Sequence, residues 1–180
     1  MSGIVTDKSM IQFRMLNRSK GPAMWSPRAQ CDRQRFTIEW RKVLESTSDL
    51  HIWQEQATKI ILEGNRVTGV ETAFGNCFYA STVILTNGTF LNGLMHVGFR
   101  NVKGGRSGDQ ESTGLSEQLR NMGFMVERMK TGTSARVDGR TIDFSVLTEQ
   151  KGDEEGRGFS FMNDLTVMKE QRSCFITHTN

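Results

Sequence analysis

The sequence contains few cysteines and histidines, and they lie far apart. Three cysteines occur in 180 residues, an odd number without any CxxC spacing. This pattern argues against a disulfide framework and against a zinc ribbon, and it is typical of a protein in a reducing cytosol. The histidines are equally scattered, so the sequence predicts no metal centre; the residues concerned are Cys31, Cys77, Cys174, His51, His96 and His178.

Long apolar runs and prolines are also scarce. No stretch approaches the roughly 20 apolar residues of a membrane-spanning helix, and no signal-peptide pattern opens the chain. We therefore expect no membrane association. Two prolines stand beside 18 glycines, and hydrophobic residues make up 36% of the chain. Such a composition is typical of one globular domain, or of a piece of a larger one, with many glycine-dependent turns.

The net charge of +3 is unevenly distributed along the chain. Residues 1–45 carry nine Lys and Arg against four Asp and Glu, which gives +5, and residues 100–140 carry eight against five, which gives +3. Residues 46–99 and 141–180 are acidic, at −2 and −3. The basic blocks are compatible with a phosphate-bearing partner such as a nucleic acid, although a solvated surface is the commoner reason for them.

The clearest predicted helix is SPRAQCDRQRFTIEWRKVLES, over residues 26–46. Ser26 is a suitable N-cap and Pro27 suits the first helical position, where its missing N–H costs nothing. Apolar residues at helical spacing would bury one face, namely Phe36, Trp40, Val43 and Leu44. The 25 residues before this helix show no long periodic pattern and favour strand and loop.

Short strands are predicted from residue 50 onwards. LHIWQEQA (50–57), TKIILEG, VTGVETA and CFYA are separated by turn signals, which predicts an antiparallel β-meander at about 58–80. STVILTNGTF (81–90) differs because its apolar residues are continuous and end in Asn87-Gly88-Thr89. Continuous burial predicts a strand of a parallel sheet, with the glycine at the edge where open α/β sheets bind ligands.

The next segments combine glycine loops with one short helix. GGRSGD (104–109) is either a phosphate-cradling loop or a plain surface turn. STGLSEQLRNMG predicts a helix capped by Ser112 or Thr113, with Leu115, Leu119 and Met122 buried and Gly123 as its stop. FMVERM (124–129) and CFITHTN (174–180) favour strands, and KGDEEGRG (151–158) favours a mobile surface loop.

The stretch KTGTSAR (130–136) is too polar for a core strand or an amphipathic helix. Lys130 and Arg136 flank hydroxyl residues and a glycine, a set that suits an anionic oxygen or a polar ring edge. A purely structural loop is the commoner explanation for these residues alone.

A fingerprint for dinucleotide binding is absent from the sequence. A buried strand ending in glycine beside a β-meander is typical of a dinucleotide-binding fold, yet no GxGxxG precedes it. We therefore interpret the chain as an interior piece of something longer.

Several longer motifs identify a family. IQFRMLNRSKGPA, RAQCDR, VILTNGTFLNGLMHVG, GGRSGD, KTGTSARVDGRTIDFS and ITHTN, in this order and spacing, resemble the GidA (MnmG) family from about Met10 to Asn180. That family is the FAD-dependent large subunit of the tRNA wobble-uridine modification enzyme. The resemblance implies an α/β fold: a fragment of a glutathione-reductase-like FAD-binding fold with a partly parallel sheet and an antiparallel β-meander. Residues 1–140 would be the middle of the FAD-binding domain, and residues 141–180 the start of an inserted NAD or substrate domain.

The resemblance also implies a chemistry. The complete enzyme, with the GTPase MnmE, adds an aminomethyl or carboxymethylaminomethyl group to C5 of uridine 34 in certain tRNAs. Methylene-tetrahydrofolate supplies the carbon, NADH reduces the flavin, and glycine or ammonium supplies nitrogen. A homodimer is implied, and so is a cytoplasmic location, or a mitochondrial one in a eukaryote. We expect this chain alone to be inactive and to carry no FAD, because the segment that holds the pyrophosphate in this fold is not in it.

By motif matching, particular residues acquire expected roles. Ala57 and Ser112 align with cofactor contacts, and the turn Asn87-Gly88-Thr89 would pass close to FAD. Lys130, Thr131 and Arg136 would lie near the flavin and the RNA entrance. The expected phosphate-binding residues are Arg14, Arg18, Lys20, Arg28 and Arg33. Two other readings stay open: a fragment of another FAD oxidoreductase acting on a small molecule, and a non-catalytic RNA-binding module.

Overall fold

The structure is a computed structural model that describes residues 1–132, 137–154, 158–162 and 170–178. The chain divides into two compact units. The first unit contains residues 1–52 and the described part of 136–180, and the second contains residues 53–135. Each unit is built around its own small antiparallel sheets, and the two are described in turn.

The first unit opens with a helix that the sequence pattern did not predict. Helix α1 (Ser2–Ser9) leads directly into strand β1 (Met10–Leu16). Its buried residues include Val5 and Ser9, and the Ser9 hydroxyl donates to the Val5 carbonyl at 2.7 Å. The helix has almost no amphipathic pattern, because a polar residue, Asp7, is among those it buries. Tertiary contacts rather than periodicity therefore specify α1.

Strand β2 (Ser26–Cys31) pairs antiparallel with β1, and this pairing corrects the predicted helix start. Ser26 and Pro27 are strand residues, opposite Leu16 and Met15, rather than the cap and first residue of a helix. The helix α2 (Arg33–Glu45) begins later, because Asp32 is its N-cap. The Asp32 carboxylate accepts from the Arg35 N–H at 2.8 Å, which is ordinary N-cap geometry.

The apolar face of α2 is covered only in part. Phe36, Trp40 and Val43 are half-buried, with the two aromatic rings edge to face at 6.4 Å between centroids. Leu44, which was predicted to be buried with them, is exposed. The helical spacing was therefore correct, and the predicted burial of the whole face was wrong.

The outer edge of β1 is covered by residues far along the chain. The Asp153 N–H donates to the Phe13 carbonyl and the Arg172 N–H donates to the Ile11 carbonyl, both at 2.8 Å. The Gln171 side chain accepts from the Phe13 N–H at 2.7 Å. The described part of the predicted surface loop at 151–158 is therefore anchored at Asp153.

Two short strands complete the first unit. Strands β8 (Thr148–Gln150) and β9 (Cys174–Ile176) form an antiparallel pair, which confirms the strand predicted at CFITHTN for its described residues. The compact first unit joins residues 1–52 to the described residues beyond 135. The domain division predicted at 140 stays a prediction. The roles predicted for 1–140 and 141–180 stay predictions.

The second unit contains the predicted meander. Strands β3 (Ala57–Glu63), β4 (Arg66–Thr72) and β5 (Cys77–Tyr79) form one antiparallel sheet in that order. The meander is confirmed, but residues 51–56 form no strand. At the first turn Gly64 takes φ 60°, and at the second Gly75 takes φ 83°, a backbone region that glycine enters without strain.

The predicted parallel strand is the main error in the fold. Residues 82–87 form no ladder, and Ile84 is 86% exposed. All four sheets of the described residues are antiparallel, and parallel pairing there is limited to an isolated bridge between Leu91 and Ser112. A parallel strand needs a neighbouring strand and cover on both faces, and the described residues offer neither at this segment. The chain is nevertheless α/β, as predicted.

A hairpin and a helix follow. Strands β6 (Leu94–Val97) and β7 (Arg100–Lys103) form an unpredicted antiparallel hairpin, whereas the strand predicted at 124–129 is not formed and Met125 is 88% exposed. Helix α3 (Leu115–Asn121) begins at Gly114 rather than at a hydroxyl cap. Its end is the predicted one, because Gly123 takes φ 91° and its N–H donates to the Arg120 carbonyl.

The burial predicted for α3 is only partly correct. Leu115 is 4% exposed and Leu119 is half-buried, whereas Met122 is 37% exposed. The Gln118 side chain makes the main polar contact of this helix with the sheet. Its Oε1 accepts from the Ile60 N–H at 2.7 Å and its Nε2 donates to the Ile60 carbonyl at 2.6 Å. One side chain thus occupies the outer edge of β3 as a neighbouring strand would.

Candidate functional site

The polar face of the β1–β2 pair carries two of the predicted phosphate-binding arginines. Arg14 and Arg28 lie directly opposite each other in the ladder, next to the pair formed by Gln12 and Gln30. Directly opposed residues of an antiparallel pair project from the same face. The other face, with Phe13, packs against the apolar core of this unit. The two arginines therefore share the side of the sheet that carries polar residues.

A buried glutamine organises this polar face. Gln12 is 1% exposed, and its Nε2 donates to the Gln150 carbonyl at 3.1 Å. Its Oε1 accepts from Arg28 Nη2 at 3.3 Å and from the Cys174 thiol at 3.4 Å. Gln30 donates to the same sulfur at 3.1 Å. No local sequence pattern indicates this cluster, because Gln150 and Cys174 are contributed by β8 and β9.

The other predicted phosphate-binding residues lie in different settings. Arg18 is paired with the carboxylate of Asp153 at 2.9 Å, so its charge is locally compensated. Lys20 is exposed in the short 3₁₀ turn that follows β1. Arg33 is the first residue of α2 and is exposed. The structure thus brings Arg14 and Arg28 together and neutralises Arg18.

A cavity of about 500 Å³ lies in the first unit, beside the apolar face of β2. Its walls come from α1, β2, α2 and the segment 158–162, and they are mostly apolar with two cationic residues, one from β2 and one from α2. The lining residues are Thr6, Pro27, Arg28, Ala29, Cys31, Arg33, Phe36 and Phe159. Thr6 and Phe159 carry no local sequence signal that connects them with these residues.

The predicted cofactor contacts meet in the second unit. The Ser112 hydroxyl donates to the Ala57 carbonyl at 3.3 Å, which joins two of the predicted positions directly. The Ser112 N–H donates to the Phe90 carbonyl at 2.8 Å, and the Phe90 N–H donates to the Asn87 carbonyl at 3.0 Å. Ala57, Ser112 and the Asn87-Gly88-Thr89 turn therefore form one continuous hydrogen-bonded group.

The glycine loop packs tightly against this turn. The Thr89 hydroxyl donates to the Gly105 carbonyl at 2.7 Å. A Cβ on Gly93 would lie 2.6 Å from the Thr89 carbonyl oxygen, and a Cβ on Gly105 would overlap the Phe90 ring. The loop itself is closed by Arg106, whose Nε donates to Asp109 at 2.6 Å. In this structure GGRSGD is thus a packed turn beside the predicted cofactor contacts.

A carboxylate fixes the segment just before Ala57. Partial burial would raise the pKa of Glu55, but hydrogen bonds from Thr72, Trp53, Asn76 and the Phe74 N–H outweigh it and lower the pKa to about 2. The Phe74 N–H lies 2.7 Å from Glu55 Oε1. Glu55 is therefore an ionised anchor between this segment and the β4–β5 turn.

The polar loop predicted to lie near the flavin is only partly described. Lys130 and Thr131 are exposed, and Arg136 lies outside the described residues. After the loop, Asp138 and Asp143 each cap a 3₁₀ turn. Hydrogen bonding from the Arg140 side chain lowers the pKa of Asp138, and the Ser145 hydroxyl lowers the pKa of Asp143.

Two features are absent from the described residues. No helix among them is both long and apolar enough to cross a membrane. Within the same residues, no three metal-ligating side chains of His, Cys, Asp or Glu come together.

Together the two units define an α/β protein whose described sheets are small and antiparallel. The family model described as "Glucose inhibited division protein A" matches residues 1–180. A curated relative from Cytophaga hutchinsonii, "tRNA uridine 5-carboxymethylaminomethyl modification enzyme MnmG", is 54% identical over 100% of this chain and 29% of its own length. The protein of the same name from Porphyromonas gingivalis is 53% identical over 99% of this chain and 28% of its own length.

Solved structures agree with the family match. The form II crystal structure of Aquifex aeolicus GidA is 42% identical, with a TM-score of 0.86, and the match covers 96% of this chain and 30% of that one. The GidA-related protein from Thermus thermophilus is 30% identical over 68% of this chain and 57% of its own, with a TM-score of 0.50. This chain belongs to the glucose-inhibited division protein A family. It spans about 29% of the length of the curated relatives it matches.

Proposed function

We propose that this chain is part of an FAD-dependent enzyme that modifies C5 of the wobble uridine in tRNA. The observation that carries the proposal is the family match over all 180 residues. It is supported by relatives about half identical to the chain that are named as tRNA uridine 5-carboxymethylaminomethyl modification enzymes. The modification, its substrates and its partners are proposed for the complete protein, and the 180-residue chain alone is proposed to be inactive.

The residues of the second unit fit a flavin dinucleotide. The Ser112 hydroxyl, which donates to the Ala57 carbonyl, keeps its oxygen as an acceptor. The Asn87-Gly88-Thr89 turn offers an amide side chain, open backbone at Gly88 and the Thr89 oxygen as a second acceptor. Such donors and acceptors suit the hydroxyls and ring edges of a nucleotide. The extended segment before the turn is apolar and exposed at Ile84, which suits contact with a ring system. We assign these residues to FAD binding.

FAD would supply the electron transfer of the reaction, with NADH as reductant and methylene-tetrahydrofolate as carbon donor. The chain's own contribution is to hold and position. The tight packing of Gly93 and Gly105 against Thr89 and Phe90 keeps the turn in one place. Lys130, Thr131 and Arg136 are proposed to act near the flavin and the RNA, since the donors and cations of these residue types suit anionic oxygens.

The tRNA would contact the basic residues of the first unit. Arg14, Arg28, Lys20 and Arg33 have no ion-pair partner among the described residues, whereas Arg18 pairs with Asp153. Uncompensated cations provide most of the affinity for a phosphate backbone. We therefore rank Arg18 below the other four as an RNA contact. MnmE as partner, a homodimer and a cytoplasmic location are proposed with the function.

The direct test uses the complete protein with FAD, NADH, methylene-tetrahydrofolate, a nitrogen donor, the GTPase partner and tRNA that lacks the wobble modification. Nucleoside mass spectrometry should show an aminomethyl-type uridine that depends on every component. A complete protein that oxidises NADH but leaves the tRNA unchanged, and does not retard tRNA in a gel, would favour a small-molecule oxidoreductase. Retarded tRNA without bound flavin would favour a non-catalytic RNA-binding module.

A further inference from the structure

The ladder between β1 and β2 places two cations opposite each other. Arg14 and Arg28 are Cα partners in an antiparallel register, so their Cβ atoms lie about 4.5–5.5 Å apart on the same face. Like charges at directly opposed positions destabilise a strand pair. A neighbour that compensates both charges would remove this repulsion.

The protein provides little compensation of its own. Arg14 Nη1 reaches the Lys151 carbonyl at 3.4 Å, and Arg28 Nη2 reaches Gln12 Oε1 at 3.3 Å. Both distances are long for hydrogen bonds of a charged donor, which are usually shorter than 3 Å. Among the described residues, no carboxylate forms an ion pair with either guanidinium.

One donor of Arg28 is left without an acceptor in the part of the chain that the structure describes. Its Nε is buried, and no hydrogen-bond partner lies within reach among the described residues. Buried donors in folded proteins are nearly always paired, so an orphaned guanidinium N–H needs an explanation.

Other arginines of the chain show what a compensated site looks like here. Arg18, Arg41 and Arg106 each donate to a carboxylate, at 2.9, 2.6 and 2.6 Å. Arg14 and Arg28 differ from these three because, among the described residues, no carboxylate accepts from them. What sets this pair apart is that two such arginines are directly opposed in one ladder, next to Gln12.

We propose that Arg14 and Arg28 form a binding site for a phosphate group. Two forked guanidinium groups on one face present more donors than a carboxylate can accept, and they match the several oxygens of a tetrahedral anion. Arg28 Nε is enclosed in this conformation, so the guanidinium must turn before Nε can donate to the anion. The turn breaks only the long contact between Arg28 and Gln12. The assignment of the phosphate to the RNA backbone rests on the proposed function; phosphate binding itself does not.

The test observes the arginine N–H groups directly. In the 15N-labelled chain, inorganic phosphate should shift the Nε–H resonances of Arg14 and Arg28 along saturable curves, while Arg41, already paired with Glu45, should not follow them. Arg28→Gln and Arg14→Gln should each weaken phosphate binding at least 10-fold, and Arg41→Gln should not. Arg28→Lys keeps the charge but loses the fork, so it should restore only part of the affinity.

Three results would overturn the proposal. The first is that the Gln variants bind phosphate as tightly as the wild type, and the second is that phosphate shifts the Nε–H resonances of all surface arginines equally. The third is that Arg14→Gln and Arg28→Gln both lose the folded state in the absence of phosphate. In the complete protein, each Gln variant should lower the slope of log K for tRNA against log salt by about 0.7–0.9. An unchanged slope with normal tRNA binding would rule out the RNA assignment. If the complete protein binds no tRNA, the proposed function fails. The phosphate titration still shows whether Arg14 and Arg28 bind a phosphate group.

Discussion

The Gln118 side chain should contribute about 2 kcal/mol to the stability of the second unit. It accepts from the Ile60 N–H at 2.7 Å and donates to the Ile60 carbonyl at 2.6 Å, and Ile60 is 5% exposed. In Gln118→Met, a change of similar size and helix propensity, both backbone groups of Ile60 lose their partner. An unsatisfied buried group costs about 1–3 kcal/mol, so two would cost about 2–6 kcal/mol. We take the lower end, because Gln118 is half-buried and water can reach part of this edge.

Amide hydrogen exchange measures this contribution at the affected residue. A loss of about 2 kcal/mol corresponds to a roughly 30-fold faster exchange of the Ile60 N–H. Gln110→Met, at an exposed position outside the helix, is the matched control and should leave the exchange unchanged. Gln118→Glu keeps an acceptor for the N–H but turns a carboxylate towards the Ile60 carbonyl. Its stability should therefore rise as the pH falls and the new carboxyl becomes a donor. Wild-type exchange at Ile60 in Gln118→Met would refute the reasoning.

Three further predictions concern single contacts. The pKa of Glu55 is lowered from 4.5 to about 2, so the stability that its ionised carboxylate gives the folded state is complete above pH 4.5 and is lost as the pH falls towards 2. The acid unfolding of Glu55→Gln should lack that part of the pH dependence. An acid unfolding profile identical to that of the wild type would contradict this prediction. Asp7→Ala removes the acceptor of the Phe159 N–H at 2.6 Å and should lower the free energy of unfolding in urea by about 2–3 kcal/mol. A change below about 0.5 kcal/mol would contradict this prediction. Gly69→Ala places a Cβ against the Phe78 carbonyl, so it should lower the melting temperature, whereas Gly139→Ala, in open space, should not. Equal melting temperatures of the two variants would contradict this prediction.

The features that the sequence predicted correctly are specified by neighbours in the chain. The meander follows from alternation and from glycines that can take positive φ at its turns, and Gly123 ends α3 for the same local reason. The grouping of Ala57 with Ser112 was expected only through family resemblance. No pattern within either segment points to the other, although a hydrogen bond of 3.3 Å joins them.

The features that were missed depend on residues distant in sequence. The N-cap of α2 is Asp32 rather than the predicted Ser26, because residues 26–31 pair with β1 as a strand. Local helix propensity does not account for a strand partner that competes for the same residues. Burial of Gln12 is tolerated because Gln150, Cys174 and Arg28 satisfy its amide, and the first two lie more than 130 residues away. The continuous apolar run at 83–85 suggested a covered strand, but apolar content alone does not supply the neighbour that a strand needs.

The covered edge of β1 has a consequence for synthesis on the ribosome. Gln12 and its acceptor Gln150 are 138 residues apart, and the second unit lies between them in the chain. At about 5–20 residues per second, strand β1 waits roughly 7 to 28 s for the segments that cover it. During that interval the second unit can fold while β1 still offers bare amides and carbonyls to any other strand. The first unit is thus completed only after the second unit has been synthesised, and until then the free edge of β1 is open to wrong strand pairing.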